Sequence, residues 1–214
     1  MTVFADSSRF IMDLGLNTGD DTAYFLAKDF EVVALEPDPT LAATARARFA
    51  DAIAAKRLTV VEAAVDAVET ESGAAPGLTL GDLFDRFGTP RHIKVDAGDA
   101  NQVVLNHLLR QLVKPLSVAV KDAGAGLALI ATLGACGYNG FQLVDLADVE
   151  AMTDPDVPDY AFTGASCGPF GEALPGPWLS QEAIEDLYAA TVSTREGERR
   201  APPSHAFCIH AVRL

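Results

Sequence analysis

A chain of 214 residues, 49% hydrophobic and 21% charged, has the length and composition to bury one generous core, which excludes a disordered protein. Its formal net charge of −14 argues against a nucleic-acid partner, because a phosphate backbone wants a concentrated Lys/Arg face.

The first predicted strand, about Arg9 to Leu14, is apolar apart from Asp13. It runs into the turn Gly15-Leu16-Asn17-Thr18-Gly19, and a helix follows from Asp20 towards Lys28 with Asp20, Asp21 and Thr22 in its first turn, where acids suit the helix dipole. A glycine-bearing strand-to-helix turn brings bare backbone close to a ligand and points helix N–H groups at it. Asp13, two residues before the first glycine, would repel a pyrophosphate but welcome an amine. The second strand, Glu31 to Leu35, ends in Glu36, an acid suited to accept hydrogen bonds from two ribose hydroxyls. Pro37-Asp38-Pro39 then stops it and opens the next helix.

A dinucleotide fingerprint reads Gly-x-Gly-x-x-Gly with an acid about 20 residues further on. Here the pattern is Asp13-x-Gly15-x-x-x-Gly19, which lacks the close-approach glycine and adds an acid. An amine-binding acid, a glycine turn and a ribose-binding acid together describe a site for S-adenosylmethionine (SAM) rather than NAD. The third strand, Leu58 to Val65, brings Ala63 and Ala64 to the same edge and completes the expected cofactor-binding set.

Residues 66–77 read as a surface connection. Thr79 then caps a short helix through Phe87, ended by Gly88. The fourth strand is His92 to Asp96. The helix from Asp99 to about Gln111 carries Val104, Leu105, Leu108, Leu109 and Leu112 at helical spacing, a stripe expected to face the core. Pro115 to Val120, Gly126 to Cys136 and Phe141 to Asp145 read as strand, helix and strand. A long loop, about Leu146 to Leu179, is rich in Asp, Pro and Gly, and loops of this length are usually functional or disordered. Within it Phe170 and Trp178 are candidates to stack on a sugar or ring, with Trp178 as an anchor of the loop on the core the favoured alternative. Ser180 caps a last helix, and Ala206 to Val212 closes the chain as a strand.

Alternation of strand and helix without an internal repeat implies one α/β domain over residues 1–214, a doubly wound, mostly parallel sheet covered on both faces. Ligands in such sheets sit beyond the carboxyl ends of the strands, where Asp13, Glu36, Ala63 and Asp96 all lie. The cysteines, Cys136, Cys167 and Cys208, offer neither a disulfide framework nor a metal spacing and read as buried thiols. The first residues lack a signal-peptide plan, and no apolar run reaches the roughly 18 residues of a membrane span. The expectation is a cytoplasmic protein with no membrane and no nucleic-acid partner.

Methyl transfer from a sulfonium is an in-line displacement, so the protein must hold the nucleophile close and aligned. An acceptor that loses a proton in the transfer also needs a base or a charge stabiliser. Asp96 is the first catalytic candidate, with a backbone-binding role as its equal alternative. Asp99 follows one helix turn on, with helix capping the favoured alternative. Lys94 shares a strand face with Asp96, to orient a substrate or, more simply, to form an ion pair. His92 and His210 are minority candidates as bases. Asp96, Asp99 and His92 do not repeat a strong metal-ligand spacing, and no metal is expected.

Taken together, these residues resemble the FkbM-type SAM-dependent methyltransferases over nearly the whole chain. The stretch from Asp13 to Thr22 is similar to that family's SAM-binding turn, and Val33-Ala-Leu-Glu-Pro-Asp-Pro39 to its ribose-binding strand end. Leu78-Thr-Leu-Gly-Asp-Leu-Phe84, Ile93-Lys-Val-Asp96, Gly137-Tyr138, Phe141-Gln-Leu-Val144, Gly168-Pro-Phe-Gly171, Leu174-Pro-Gly-Pro-Trp-Leu179 and Ile209-His-Ala211 follow in the family's order. The resemblance implies a class I methyltransferase (Rossmann-like) fold with an antiparallel last strand, and methyl transfer to a hydroxyl of a small molecule such as a sugar or secondary metabolite.

The chain also departs from the family. Where the family reads Lys-Ile-Asp-x-Glu-Gly-x-Asp/Glu, it has Lys94-Val-Asp96-Ala-Gly98-Asp99-Ala-Asn101, so Gly98 and Asn101 stand in place of acids. Lys121 stands before Asp122 where an acid is expected after the fifth strand. The connection after the third strand is too short for the family's hairpin. The alternative is therefore a SAM-binding pseudoenzyme with a regulatory or partner-binding role.

Overall fold

The apolar runs read from the sequence form seven strands of one sheet in a computed structural model of the chain, which describes residues 7–65 and 77–214. Residues 66–76 of the expected surface connection lie outside the described residues. The strands are β1 (Phe10–Leu14), β2 (Glu31–Leu35), β3 (Leu58–Val61), β4 (His92–Val95), β5 (Ser117–Lys121), β6 (Gly140–Asp145) and β7 (Phe207–Val212). They stand in the order β3-β2-β1-β4-β5-β7-β6. The pairs from β3 through β5 are parallel, and β7 runs antiparallel between β5 and β6. The helices are α1 (Asp20–Ala27), α2 (Pro39–Arg48), α3 (Ala50–Ala54), α4 (Leu80–Phe87), α5 (Asn101–Arg110), α6 (Gly126–Ala135) and α7 (Gln181–Thr191).

Alternation along each strand sorts the core into two layers. Phe10, Met12 and Leu14 of β1 and Ile93 and Val95 of β4 pack with Leu83 of α4, Leu105 of α5, Leu129 of α6 and Ile184 of α7. The other face, with Ile11, Val32, Ala119 and Cys208, meets Tyr24 and Phe25 of α1 and Ala45 of α2. Among the described residues, no α-helix covers that face over the β6–β7 side. The long loop does so, seating Leu146, Val149, Phe162, Phe170 and Leu174 against the sheet.

Several boundaries shift for physical reasons. β3 stops at Val61 rather than Val65: it is an edge strand, and its one neighbour, β2, ends before Pro37. α5 begins at Asn101, after a 3₁₀ turn at Gly98–Ala100. The apolar stripe on that helix is only partly core. Val104, Leu105 and Leu108 are buried, but Leu109 points outward at 42% exposure, and Leu112, past the helix end, is fully exposed. The caps expected at Thr79 and Ser180 form, and Asp38 adds one that the sequence reading did not name. Thr79 and Asp82 form a reciprocal capping box on α4, Asp38 caps α2 and Ser180 caps α7.

Candidate functional site

The turn after β1 is shaped by its glycines. Gly15 has φ +86°, and a Cβ there would lie 2.0 Å from the Asp96 carbonyl oxygen, so only glycine lets β1 and the end of β4 come this close. The Gly15 and Leu16 N–H groups both donate to the Leu35 carbonyl, at 3.0 and 2.9 Å, binding the turn to the end of β2. Asn17 is left-handed at φ 52°, and Gly19 at φ 82° starts α1 under the Phe49 ring. Glu36, almost fully buried, accepts from the Asn17 N–H at 2.7 Å through one oxygen and from the Asp38 N–H at 3.0 Å through the other.

Two adjoining cavities open beyond the carboxyl ends of β1, β2 and β4. One, of about 370 Å³, is lined by Gly15, Glu36, Pro37, Ala63, Ala64 and Gly98 among others. The other, of about 320 Å³, is lined by Leu16, Thr18, Asp20, Asp21, Lys94 and Lys121. Asn17 and Asp96 belong to both walls. Most of the expected cofactor-binding residues therefore come together, from three separate strand ends.

Asp13, Gly19 and Thr22 are the exceptions. The expectation that Asp13 faces a ligand amine is corrected: its side chain has no exposure, and it lines neither cavity. The amine it meets is that of Lys94, 3.1 Å away, and Thr22 donates to its second oxygen at 2.6 Å. Thr22 is thus a buried support of Asp13, and Gly19 a helix start, rather than parts of the cavity wall. Burial pushes the Asp13 carboxyl up from its ordinary range, against the opposing pull of Lys94.

Lys94 is a fixed cation. Its ammonium donates to the Gly15 carbonyl at 2.6 Å and lies 3.1, 3.5 and 3.9 Å from Asp13, Asp21 and Asp96. Burial alone would favour the neutral amine, but the carboxylates of Asp13, Asp21 and Asp96 outweigh it and raise the pKa above its usual value. Such a group holds charge and geometry and takes up no proton. Asp21 in turn is occupied by the long loop: the Ser166 hydroxyl donates to it at 2.6 Å and the Cys167 N–H at 2.9 Å.

Asp96 stays partly open, with its side chain 18% exposed. It accepts from the Asn17 side-chain amide at 3.0 Å and from the Lys121 ammonium at 3.2 Å. Asp99 is not brought in. It is exposed on the turn after β4, outside both cavities, and the helix behind it has no side-chain cap. Asn101 has become structural, accepting from the Ala97 N–H and donating to the Lys121 carbonyl, both at 2.7 Å.

His92 sits at the opposite end of β4, bonded to the Ser117 hydroxyl at 2.8 Å and stacked on Phe170 with ring centroids 4.2 Å apart. Phe170 is therefore an anchor rather than a ligand platform, and Trp178 packs on the same core layer, away from the cleft. His210 is buried under the loop, its Nε2 at 3.0 Å from the Cys167 carbonyl. Sequence reasoning missed Lys121 as the partner of Asp96, and missed Ser166 and Cys167 at Asp21. No local pattern marks either contact, because each joins elements far apart in the chain.

No protein-family model matches the sequence, and a search of curated proteins finds no match. Solved structures do match. Methyltransferase FkbM from Methylobacillus flagellatus KT is 21% identical at a TM-score of 0.50, covering 65% of this chain and 40% of its own. The METTL16 MTase domain is 9% identical at a TM-score of 0.51, covering 99% of this chain and 63% of its own. Precorrin 8W decarboxylase from Methanobacterium thermoautotrophicum is 11% identical at 0.50, covering 95% and 81%. The fold is that of the class I methyltransferases. The chain spans less than half the length of the FkbM structure that it resembles. At these identities the likeness establishes the class I methyltransferase fold, whose open strand ends are where the two cavities lie. Among the described residues, no helix is long and apolar enough to cross a membrane.

Proposed function

We propose that the paired cavities bind SAM and that the protein transfers its methyl group to a hydroxyl oxygen of a small molecule, such as a sugar or secondary metabolite. The observation that carries this reading is the shared wall: Asn17 and Asp96 border both a cavity with a buried carboxylate at its rim and a second, strongly charged one.

The residues present fit the cofactor. Glu36 lines the first cavity with both oxygens already oriented by backbone donors, leaving lone pairs for ribose hydroxyls. Pro37, Ala63, Ala64 and Ala97 give small apolar surfaces suited to a planar base. When bound, SAM supplies a methyl group on a positively charged sulfur. Asp13 acts at one remove, holding Lys94, which in turn grips the Gly15 carbonyl and shapes the turn. Asp96 accepts the hydroxyl proton, and Lys121, 3.2 Å away, supplies positive charge as the acceptor oxygen loses it. The order of motifs supports placing the protein near the FkbM-type enzymes, and the acidic surface supports a small acceptor over nucleic acid.

A second reading is a SAM-binding pseudoenzyme. It is favoured by Gly98, which presents no side chain to the first cavity, and by Asn101, whose amide is spent on backbone groups. Calorimetric titration with SAM, its demethylated product and NAD tests the pocket. Binding of the first two without NAD supports both readings, and an acceptor screen for turnover then separates them. Binding of NAD alone overturns the assignment.

A further inference from the structure

Cys167 and Cys208 take no part in the proposed transfer, yet they form a built pair. Cys208 lies on β7 with no exposure, and Cys167 lies in the long loop at 3%. Their sulfur atoms are in direct hydrogen-bond contact at 2.6 Å, the juxtaposition that a disulfide between them requires. Cys167 is held from outside the pair through both of its backbone groups. The Cys167 N–H is bonded to Asp21, and its carbonyl lies 3.0 Å from His210 Nε2. His210 follows Cys208 by two residues and so shares its face of β7. The third cysteine, Cys136, is buried in the opposite core layer.

We propose that Cys167 and Cys208 are an oxidative modification site, a dithiol that a water-sized peroxide converts to a disulfide joining the long loop to β7. The Cys208 sulfur attacks one peroxide oxygen and the O–O bond breaks, leaving a sulfenic acid and a hydroxide that takes up a proton as water. The Cys167 sulfur then attacks the sulfenic sulfur. The S–O bond breaks, and the Cys167 proton leaves with the hydroxide as a second water. Two thiols and one peroxide thus give one disulfide and two waters, with sulfur oxidised and peroxide oxygen reduced.

The electrostatics suit this division of roles. Burial pushes the Cys208 thiol up, but the hydrogen bond it shares with Cys167 and the charge of His210 outweigh it and bring it down to about 6. Cys167 is held well above the ordinary thiol range by that same hydrogen bond and by burial, so it waits as the resolving thiol. The Cys167 N–H is bonded to Asp21, which lines the second cavity, so Cys167 lies directly behind the wall of the cleft. The new bond fixes the loop segment whose Ser166 and Cys167 hold Asp21, and through Asp21 it steadies Lys94. The site stands apart from the methyl-transfer reading and survives or fails independently of it.

The test treats the whole protein with hydrogen peroxide, alkylates the remaining thiols after unfolding, and maps peptides without reduction. The expected result is a Cys167 peptide linked to a Cys208 peptide, with Cys136 alkylated, the link reversed by dithiothreitol, and amide exchange slowed over residues 163–170. In Cys167→Ser the link disappears and Cys208 passes on to the sulfinic acid. Alkylation of both Cys167 and Cys208 while Cys136 is lost would overturn the proposal, as would over-oxidised Cys208 without a link in the wild-type protein. Unchanged exchange over residues 163–170 in the linked form would overturn the connection to the cleft.

Discussion

Asp13 and Lys94 stand directly opposite each other in the register of β1 and β4, their charged atoms 3.1 Å apart and neither side chain more than 3% exposed. They belong to one row across the loop-covered face: Ala34, Asp13, Lys94, Ala119, His210 and Gln142 follow one another from strand to strand. A charge pair at the centre of a sheet is costly to leave half made, because the survivor keeps its desolvation penalty without its partner.

Asp13→Ala is therefore expected to lower stability by about 3 kcal/mol, the lower end for breaking a buried pair, since Asp21 and Asp96 still face Lys94. Urea denaturation of the variant against wild type measures this. A change below about 1 kcal/mol would mean that the pair is not the structural element described.

Gly15→Ala carries two penalties at once, a left-handed φ and a Cβ 2.0 Å from the Asp96 carbonyl oxygen. The expected loss is at least about 2 kcal/mol, together with weakened SAM binding as the turn is pushed off the end of β4. Gly98→Ala is the contrast, with a positive φ but open space around its Cβ, so the loss there is smaller. Thermal unfolding of the two variants side by side decides between clash and backbone strain.

Glu36→Gln keeps the shape of the side chain and removes its charge. SAM affinity is expected to fall by about 1–3 kcal/mol, the cost of weakening a charged hydrogen-bond partner, as read by calorimetry. Affinity equal to wild type would remove Glu36 from the cofactor site.

Asp96→Asn is expected to leave SAM affinity near wild type and to slow transfer by about 10²–10⁴-fold once an acceptor is in hand. Lys121→Met is expected to slow transfer with the same substrate while leaving Asp96 in place. Wild-type turnover in Asp96→Asn would exclude that carboxylate as the base.

His92 carries a pH dependence whose sign follows from its surroundings. Burial, with the charges of His210 and Arg91, holds its pKa well below the 6.5 of a free imidazole. Below that value the unfolded chain binds a proton that the folded protein refuses, so this contribution to stability is present at neutral pH and is lost on acidification. Relative to His92→Gln, wild type should lose up to about 1.4 kcal/mol per pH unit between about pH 6.5 and the folded pKa. His210, raised by its own neighbours, contributes with the opposite sign and remains in both proteins, which is why the difference between them is the quantity to measure.

The sequence by itself determined the strand-and-helix order, the glycine turn after β1, the acid at the end of β2, the proline that opens α2 and the caps of α4 and α7. Each of these rests on interactions within a few residues: a φ that favours glycine, a proline that ends a strand, a hydroxyl within reach of a helix N–H. Only the tertiary structure decided that Asp13 belongs to Lys94, that Lys121 faces Asp96, that Asp99 turns to solvent, and that the long loop roofs the sheet and brings Cys167 to Cys208. Those contacts depend on which strands lie side by side and in what register. Two strands distant in the chain acquire neighbours only when the whole sheet has assembled, so no local pattern of residues carries that information.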